Sequence, residues 1–265
     1  MLYNDDFNNY KKYNIPKAQL IITDIPYGLK NDIWSSHRKY YVDGNIYAKP
    51  SKNAKQLAFS TDDGSFDIDK YFSACSDILK EEPEDSGSEA PCVITFCAFE
   101  QMAELIEIAQ EHGFAKYIPL FFVKNYSPQV LKANMKIVNA TEYAILFYRK
   151  KLPKFRNGVE RDSTGKTIPN TGHMVFNWFS YKKDPKYIPH IHPTQKPVNV
   201  IKQLLQVCTD PDDVVVDLCA GSGSTGRACI ETKREFYGFE IEKEFYDKAM
   251  EKMLVTDGQL TLPFF

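Results

Sequence analysis

Apolar residues in this chain fall into short blocks with two different spacings. Continuous or alternating runs rich in β-branched and aromatic residues occupy 18–23, 92–97, 117–123, 143–148, 214–216 and 235–239. Runs of this length bounded by polar, turn-forming residues predict buried strands. Between them, apolar residues recur at helical spacing. Phe66, Ile68, Tyr71, Phe72, Cys75, Ile78 and Leu79 mark one amphipathic helix, 99–112 a second that Gly113 ends, and 197–208 a third. Two more helices are predicted, one starting at Ser224 and one running to Leu254. The opening Leu2-Tyr3-Asn4 reads as a short edge strand and the stretch to Lys17 as a weak helix. Strands alternating with helices predict an α/β fold around an open sheet.

Three stretches lack a sustained period. Residues 29–63, rich in Lys, Asn, Ser and Tyr, predict a long loop, and long loops in compact domains usually carry function or are disordered. Residues 81–91 read as an acidic surface linker. Residues 149–193 carry Arg149, Lys150, Lys151, Lys154, Arg156 and Arg161, with Lys182, Lys183 and Lys186 further on, and predict an insertion facing a polyanion. Lys150, Lys151 and Arg156 are taken as its contacts to that polyanion. There is no internal repeat.

Composition narrows the partners. At 265 residues there is ample material for one large domain with insertions. The formal net charge of -2 gives no global basic field, so a nucleic-acid contact has to come from local patches. The six cysteines are scattered without paired metal spacing, and the chain opens without a charged-then-apolar leader, so reduced thiols and a cytoplasmic protein are expected. No apolar stretch reaches the roughly 18 residues of a membrane span, so no membrane partner is expected.

Two distant segments carry the chemistry. Asp217-Leu218-Cys219-Ala220-Gly221-Ser222-Gly223-Ser224-Thr225-Gly226 follows a strand and opens a helix, where small residues let backbone amides approach a ligand. A plain tight turn gives the same pattern. Glu240, at the next strand end, stands where an acid that hydrogen-bonds ribose hydroxyls belongs, which points to a nucleoside-containing cofactor. Asp24-Ile25-Pro26-Tyr27 follows the 18–23 strand. An amine on a nucleobase is a poor nucleophile because its lone pair is delocalised into the ring. Acceptors aimed at its hydrogens, the Asp24 carboxylate and a nearby backbone carbonyl, favour a pyramidal nitrogen, and Tyr27 can stack on a base drawn out of a duplex. The alternative is a rigid turn with Asp24 as a cap.

His192-Pro193-Thr194-Gln195-Lys196-Pro197 forms a stiff entry to a helix, with Lys196 able to offer a cation to a carboxylate. His190 and His192 have no Cys or acid cluster nearby, so no metal is assigned. The terminal Gln259, Leu260, Leu262 and Phe264 either pack on the protein's own core or resemble the short peptides that dock on the DNA-polymerase sliding clamp.

With these motifs in this order, the chain resembles the β group of DNA amino-methyltransferases, in which the catalytic tetrad precedes the cofactor loop. Asp24 to Tyr27 is similar to the family's Asp-Pro-Pro-Tyr, 192–198 to its His-Pro-x-Gln-Lys-Pro segment, and 217–225 to its Asp-Pro-Phe-x-Gly-Ser-Gly-Thr-Thr loop. The opening residues are similar to the family's first strand, whose acid lands on Asp6.

The resemblance implies a doubly wound, mostly parallel sheet of the S-adenosylmethionine-dependent methyltransferase type. Residues 1–148 would be its target-base half, 149–193 a small target-recognition insertion, 194–258 its cofactor half and 259–265 a tail. It implies transfer from S-adenosylmethionine to an amine on double-stranded DNA. Asp24, Pro26 and Tyr27 would hold the base, and Asp217, Gly221, Ser222, Gly223 and Glu240 the cofactor, with Asp6 near its adenine and Lys196 near its carboxylate. No covalent enzyme intermediate is needed. A homodimer and a bacterial or phage source fit the same family. Ile25 replaces the first proline of the tetrad and Leu218-Cys219-Ala220 replaces Pro-Phe-x, which loosens the expected loop geometry. The Asp at position 24 favours N6 of adenine, since relatives acting on cytosine often carry Ser there. Methylation of N4 of cytosine, methylation of RNA, a nicotinamide oxidoreductase, and a catalytically silent nucleic-acid binder stay open as alternatives.

Overall fold

A computed structural model describes residues 1–27, 66–84, 89–125, 140–160, 162–164, 166, 168–192 and 194–255. The expected loop 29–63, Arg161, Pro193 and the tail with Gln259, Leu260, Leu262 and Phe264 lie outside the described residues.

One sheet organises the chain. Its strands are β1 (Leu2–Tyr3), β2 (Leu20–Asp24), β3 (Cys92–Cys97), β4 (Lys116–Lys124), β5 (Thr141–Tyr148), β6 (Trp178–Tyr181), β7 (Val214–Asp217) and β8 (Glu235–Phe239). They lie in the order β1-β8-β7-β2-β3-β5-β4-β6. Only β5 runs against its neighbours, pairing antiparallel with β3 and β4, while the other pairings are parallel. The sheet is therefore mostly parallel, as expected. β6 is the departure: it falls inside 149–193, where the sequence shows no period, because four residues of mixed burial give too little alternation to read.

Helices cover both faces, which makes the fold doubly wound. The described α-helices are α1 (Ile68–Ile78), α2 (Met102–Glu111), α3 (Val198–Cys208), α4 (Ser224–Thr232) and α5 (Lys243–Lys248), the last continued by a π turn at Ala249–Met253. The weak opening helix is a 3-10 segment, Phe7–Lys12. One core packs Tyr71, Phe72, Leu105 and Phe114 on Ile21, Val93, Phe147 and Val216. The other packs Leu204, Ala228 and Met253 on Ile22, Ile94, Leu146 and Val215. Successive strand residues thus alternate between the two cores, as the pleat requires.

That alternation places the polar ends of the strands. Leu20 and Ile22 belong to the second core, so Asp24 points to the same side, and Ala144 and Leu146 put Glu142 there as well. Thr23 and Thr95 point the other way, where Thr95 shares a hydrogen bond of 2.8 Å with the hydroxyl of the buried Tyr71. Because β2, β3, β7 and β8 are parallel, Asp24, Cys97, Asp217 and Phe239 all end on one rim.

Candidate active site

The two chemistry-bearing segments meet on that rim. β2 and β7 are neighbours with Ile21 opposite Val216, and the backbone N–H of Leu218 donates to Thr23 Oγ1 at 3.2 Å. The turn after β7 folds over the end of β8. Ala220 N–H donates to Phe239 O at 2.7 Å, and Gly221 N–H donates to Glu240 Oε2 at 2.7 Å. Glu240 Oε1 accepts from Glu242 N–H at 2.8 Å, so one carboxylate ties the glycine loop to the start of α5. Each of its oxygens keeps a further lone pair for a hydroxyl.

Asp217 anchors the loop from below. It is 4% exposed and accepts from Thr225 Oγ1 at 2.6 Å and from Cys219 N–H at 3.1 Å. Burial outweighs these bonds and pushes its carboxyl up to about 7, with the charges of Asp24 and Glu240 acting in the same direction. Glu240 is raised as well, chiefly by burial.

Gly221 sits at φ +52 and Gly223, the N-cap of α4, at φ +77, a region that favours glycine. A Cβ at Gly223 would meet Ala249 Cβ at 3.2 Å, whereas one at Gly221 would meet no described residue within 4 Å. The loop is packed on one side and open on the other. That open side, with amides, an acid at the next strand end and a helix N-terminus, suits a nucleoside-containing group. Ser222 and Ser224 bond each other through their hydroxyls at 3.0 Å. Asp6 follows β1 on the same rim, where its Oδ1 accepts from Asn8 N–H at 2.8 Å and caps the 3-10 helix.

Beside this loop lies a buried charge cluster. Lys196 Nζ donates to Asp24 Oδ2 at 2.7 Å and to Tyr27 OH at 3.0 Å, and lies 3.4 Å from Glu142 Oε2. Lys124 Nζ donates to the other Glu142 oxygen and lies 4.6 Å from the centre of the Tyr181 ring. Asp24 Oδ1 is buried and accepts no hydrogen bond among the described residues. Burial raises the Asp24 carboxyl above the usual range, Lys196 opposes the rise, and Glu142 adds to it. For Lys196 burial acts downward, but Asp24 and Glu142 overcome it and hold the ammonium charged. Burial also acts against the charge of Glu142, and Lys196 with Lys124 carries the balance to a lowered carboxyl.

The tetrad and the segment before α3 are held independently. Gln101 Nε2 donates to Pro26 O at 3.0 Å, so that carbonyl already has one partner. Gln195 accepts from Ile191 N–H at 3.0 Å and donates to Pro189 O at 3.0 Å, which locks the turn that presents Lys196. Asp184 receives Val198 N–H at 2.8 Å and supplies the cap that Pro197 cannot give. The His192 ring packs edge-on against Phe245 with centroids 4.3 Å apart, and burial beside Lys196 and His190 lowers it to about 4. No group of His, Cys, Asp and Glu among the described residues could hold a metal.

Two groups of expected site residues have partners within the chain. Lys196, at 7% exposure, donates to Asp24 and Tyr27 and lies 3.4 Å from Glu142. Lys150, Lys151 and Arg156 lie past the far end of β5, which is antiparallel to β3, and so stand on the opposite rim from Asp24. There Arg156 pairs with Glu89 at 2.8 Å and Asp210 at 2.6 Å, Lys151 Nζ donates to Glu84 O at 2.6 Å, and the Lys150 N–H bonds Glu82. Lys151 and Arg156 thus tie down the opposite rim through their side chains, and Lys150 through its backbone. Periodicity missed Glu142 and Lys124. Their signal is a charge at the rim end of an otherwise inward-facing, apolar register.

Residues 18–251 match the family model described as DNA methylase, the N6/N4 group. DNA adenine methyltransferase YhdJ of Escherichia coli K12 is 26% identical over 149 residues, covering 55% of this chain and 47% of that protein. The chain thus spans about half or less of the length of the curated relatives it matches. Among solved structures, the M1.HpyAVI–SAM complex has a TM-score of 0.59 at 20% identity, covering 96% of this chain and 98% of that one. The cytosine-N4-specific PvuII DNA methyltransferase has a TM-score of 0.62 at 16% identity, covering 97% and 87%. These likenesses show a shared fold, and with a family match running from β2 into the last helical turn the chain belongs to the N6/N4 DNA methylases.

Proposed function

We propose that this protein transfers a methyl group from S-adenosylmethionine to N6 of adenine in a short double-stranded DNA site, acting on a base turned out of the duplex. The observation that carries the reading is the unpartnered, buried Asp24 Oδ1 beside Tyr27, on the same rim as the open side of Gly221. Asp24 Oδ1 accepts one amine hydrogen, which concentrates the lone pair on nitrogen and points it towards the glycine loop. Tyr27 supplies the face on which the base stacks, contributing about 1–3 kcal/mol. Gly221, Ser222, Gly223, Asp217 and Glu240 hold the cofactor, with Asp6 at its edge. When bound, S-adenosylmethionine supplies an electrophilic methyl on a sulfonium leaving group. The raised Asp24 carboxyl then receives the proton the amine sheds, without a covalent enzyme adduct.

DNA approaches over the active rim. β6 is parallel to β4, so the segment after Tyr181, with Lys182, Lys183 and Lys186, emerges there. These lysines replace Lys150, Lys151 and Arg156 as the proposed phosphate contacts. Adenine is favoured by the Asp at position 24 and by the name of the YhdJ relative; the likeness to PvuII methyltransferase supports cytosine N4 as the second reading. Mass spectrometry of nucleosides from duplex DNA treated with wild type and Asp24→Ala tests both. N6-methyladenine from the wild type alone is expected, and methylcytosine alone would overturn the adenine assignment.

A further inference from the structure

We propose that Glu142 is a positioning residue for Asp24: by sharing the Lys196 ammonium, it leaves Asp24 engaged through one oxygen and keeps the other available to the target amine. The inference rests on the function proposed above and assigns a role to a strand residue that lies outside the tetrad, the glycine loop and the segment before α3.

The geometry is specific. An ammonium has three donors. Lys196 donates to Asp24 Oδ2 at 2.7 Å and to Tyr27 OH at 3.0 Å, and lies at ion-pair distance, 3.4 Å, from Glu142 Oε2, which accepts no hydrogen bond among the described residues. Lys124 grips the second Glu142 oxygen, so Glu142 is pinned from both sides. Two carboxylates and two ammoniums cancel in charge, which lowers the cost of burying them together.

Without Glu142, the ammonium keeps Asp24 as its one carboxylate partner among the described residues. A buried cation then turns fully onto its remaining counter-ion, as paired charges in a poorly solvated site do. Both Asp24 oxygens become acceptors for Lys196, and none is left for an amine. Glu142 draws the ammonium the other way and also raises the proton affinity of Asp24 by like-charge repulsion. The other groups facing Asp24 are Lys196 and Tyr27, with Asp217 and the thiols of Cys97 and Cys219 on adjoining strands and loops. Among the described residues, the carboxylates paired with Lys196 are Asp24 and Glu142.

The register supports the same role. Glu142 stands opposite Phe122 at the rim end of β5, and Ala144 and Leu146 follow it on the same face into the core. A carboxylate there is costly unless paired. Its pairing is with the residue that holds Asp24.

The test uses the full-length protein and Glu142→Gln, which keeps shape and removes charge. We expect kcat to fall about tenfold or more, while KM for DNA and Kd for S-adenosylmethionine stay within about twofold. The acid limb of the kcat profile moves to lower pH, because a neighbouring negative charge is gone. Glu142→Asp restores the charge and gives values between those of Gln and wild type. Carbon-13 NMR of the Asp24 carboxyl, recorded without DNA or cofactor, reads the same shift directly: its midpoint falls in Glu142→Gln and lies between in Glu142→Asp. Wild-type kcat in Glu142→Gln, or an unmoved Asp24 midpoint in both variants, overturns the proposal. If the wild-type protein methylates no DNA, the functional reading fails by itself, and the NMR midpoint still decides whether Glu142 tunes Asp24.

Discussion

Lys196 and Asp24 stand 172 residues apart in sequence and 2.7 Å apart in space. The pair joins the end of β2 to the turn before α3, so the acid of the tetrad is held by a cation from the other half of the chain. Lys196→Met removes a charge that two buried carboxylates share. Breaking such a pair costs about 3–5 kcal/mol, so a marked drop in the denaturant midpoint is expected. Lys196 lowers the Asp24 pKa, so its loss raises it, and the acid limb of kcat should move to higher pH. Lys196→Arg keeps charge, yet a planar fork cannot serve three divergent acceptors, so activity should recover only in part. A limb that stays in place in Lys196→Met would contradict the coupling.

The glycine loop separates packing from function. Gly221→Val should fold, because a Cβ there meets no described residue within 4 Å, at a cost of about 1–3 kcal/mol for the left-handed backbone. It should lose S-adenosylmethionine binding by calorimetry, since the added atoms fill the open side. Gly226→Ala is the converse case. Its Cβ would meet Leu254 Cδ2 at 2.7 Å and Phe236 Cε1 at 2.8 Å, so overpacking should cost about 1–3 kcal/mol and lower Tm. Equal cofactor affinity in Gly221→Val and wild type would remove the assignment of that space.

Asp217 gives a pH signature in stability. Its folded pKa of about 7 lies above the unfolded value near 3.8, so between these values the folded state binds more protons than the unfolded one. Its contribution therefore declines as pH rises from about 4 to about 7, and is most favourable below that window. Asp217→Asn can still bond Thr225 and the Cys219 amide, and should flatten this trend. The difference between the two Tm profiles isolates Asp217 from Glu240, which is raised too, and from His192, which is lowered to about 4. Parallel profiles would show that Asp217 titrates normally.

Two sets of lysines and arginines should behave oppositely. Changing Lys182, Lys183 and Lys186 to Ala should weaken DNA binding and reduce the slope of log K against log salt by about 0.9 for each phosphate no longer neutralised. Changing Lys150, Lys151 and Arg156 to Ala should leave that slope unchanged and lower stability by up to about 1 kcal/mol for each exposed pair. The reverse pattern would return the DNA to the opposite rim.

Much of this arrangement was readable from residue order. The strand at 92–97 and that at 235–239 coincide with β3 and β8, because a fully buried run in the first and apolar Phe236, Tyr237 and Phe239 in the second leave little ambiguity. The meeting of Asp24 with the glycine loop followed from two strand ends on a parallel sheet. Less accessible were β6, whose burial is mixed, and the roles of Arg156 and Glu142. A basic run looks the same whether it faces phosphate or its own Glu89 and Asp210. Which rim it occupies depends on the reversed direction of β5, and direction leaves no mark in local pattern.

The strand order also bears on when the site assembles. Tyr3 pairs with Phe239, and β7 lies between β2 and β8. Contacts of such long sequence separation form late and slowly. Asp24 and Lys196 come from opposite halves of the chain, so the acid gains its counter-ion only after the turn before α3 has docked on β2.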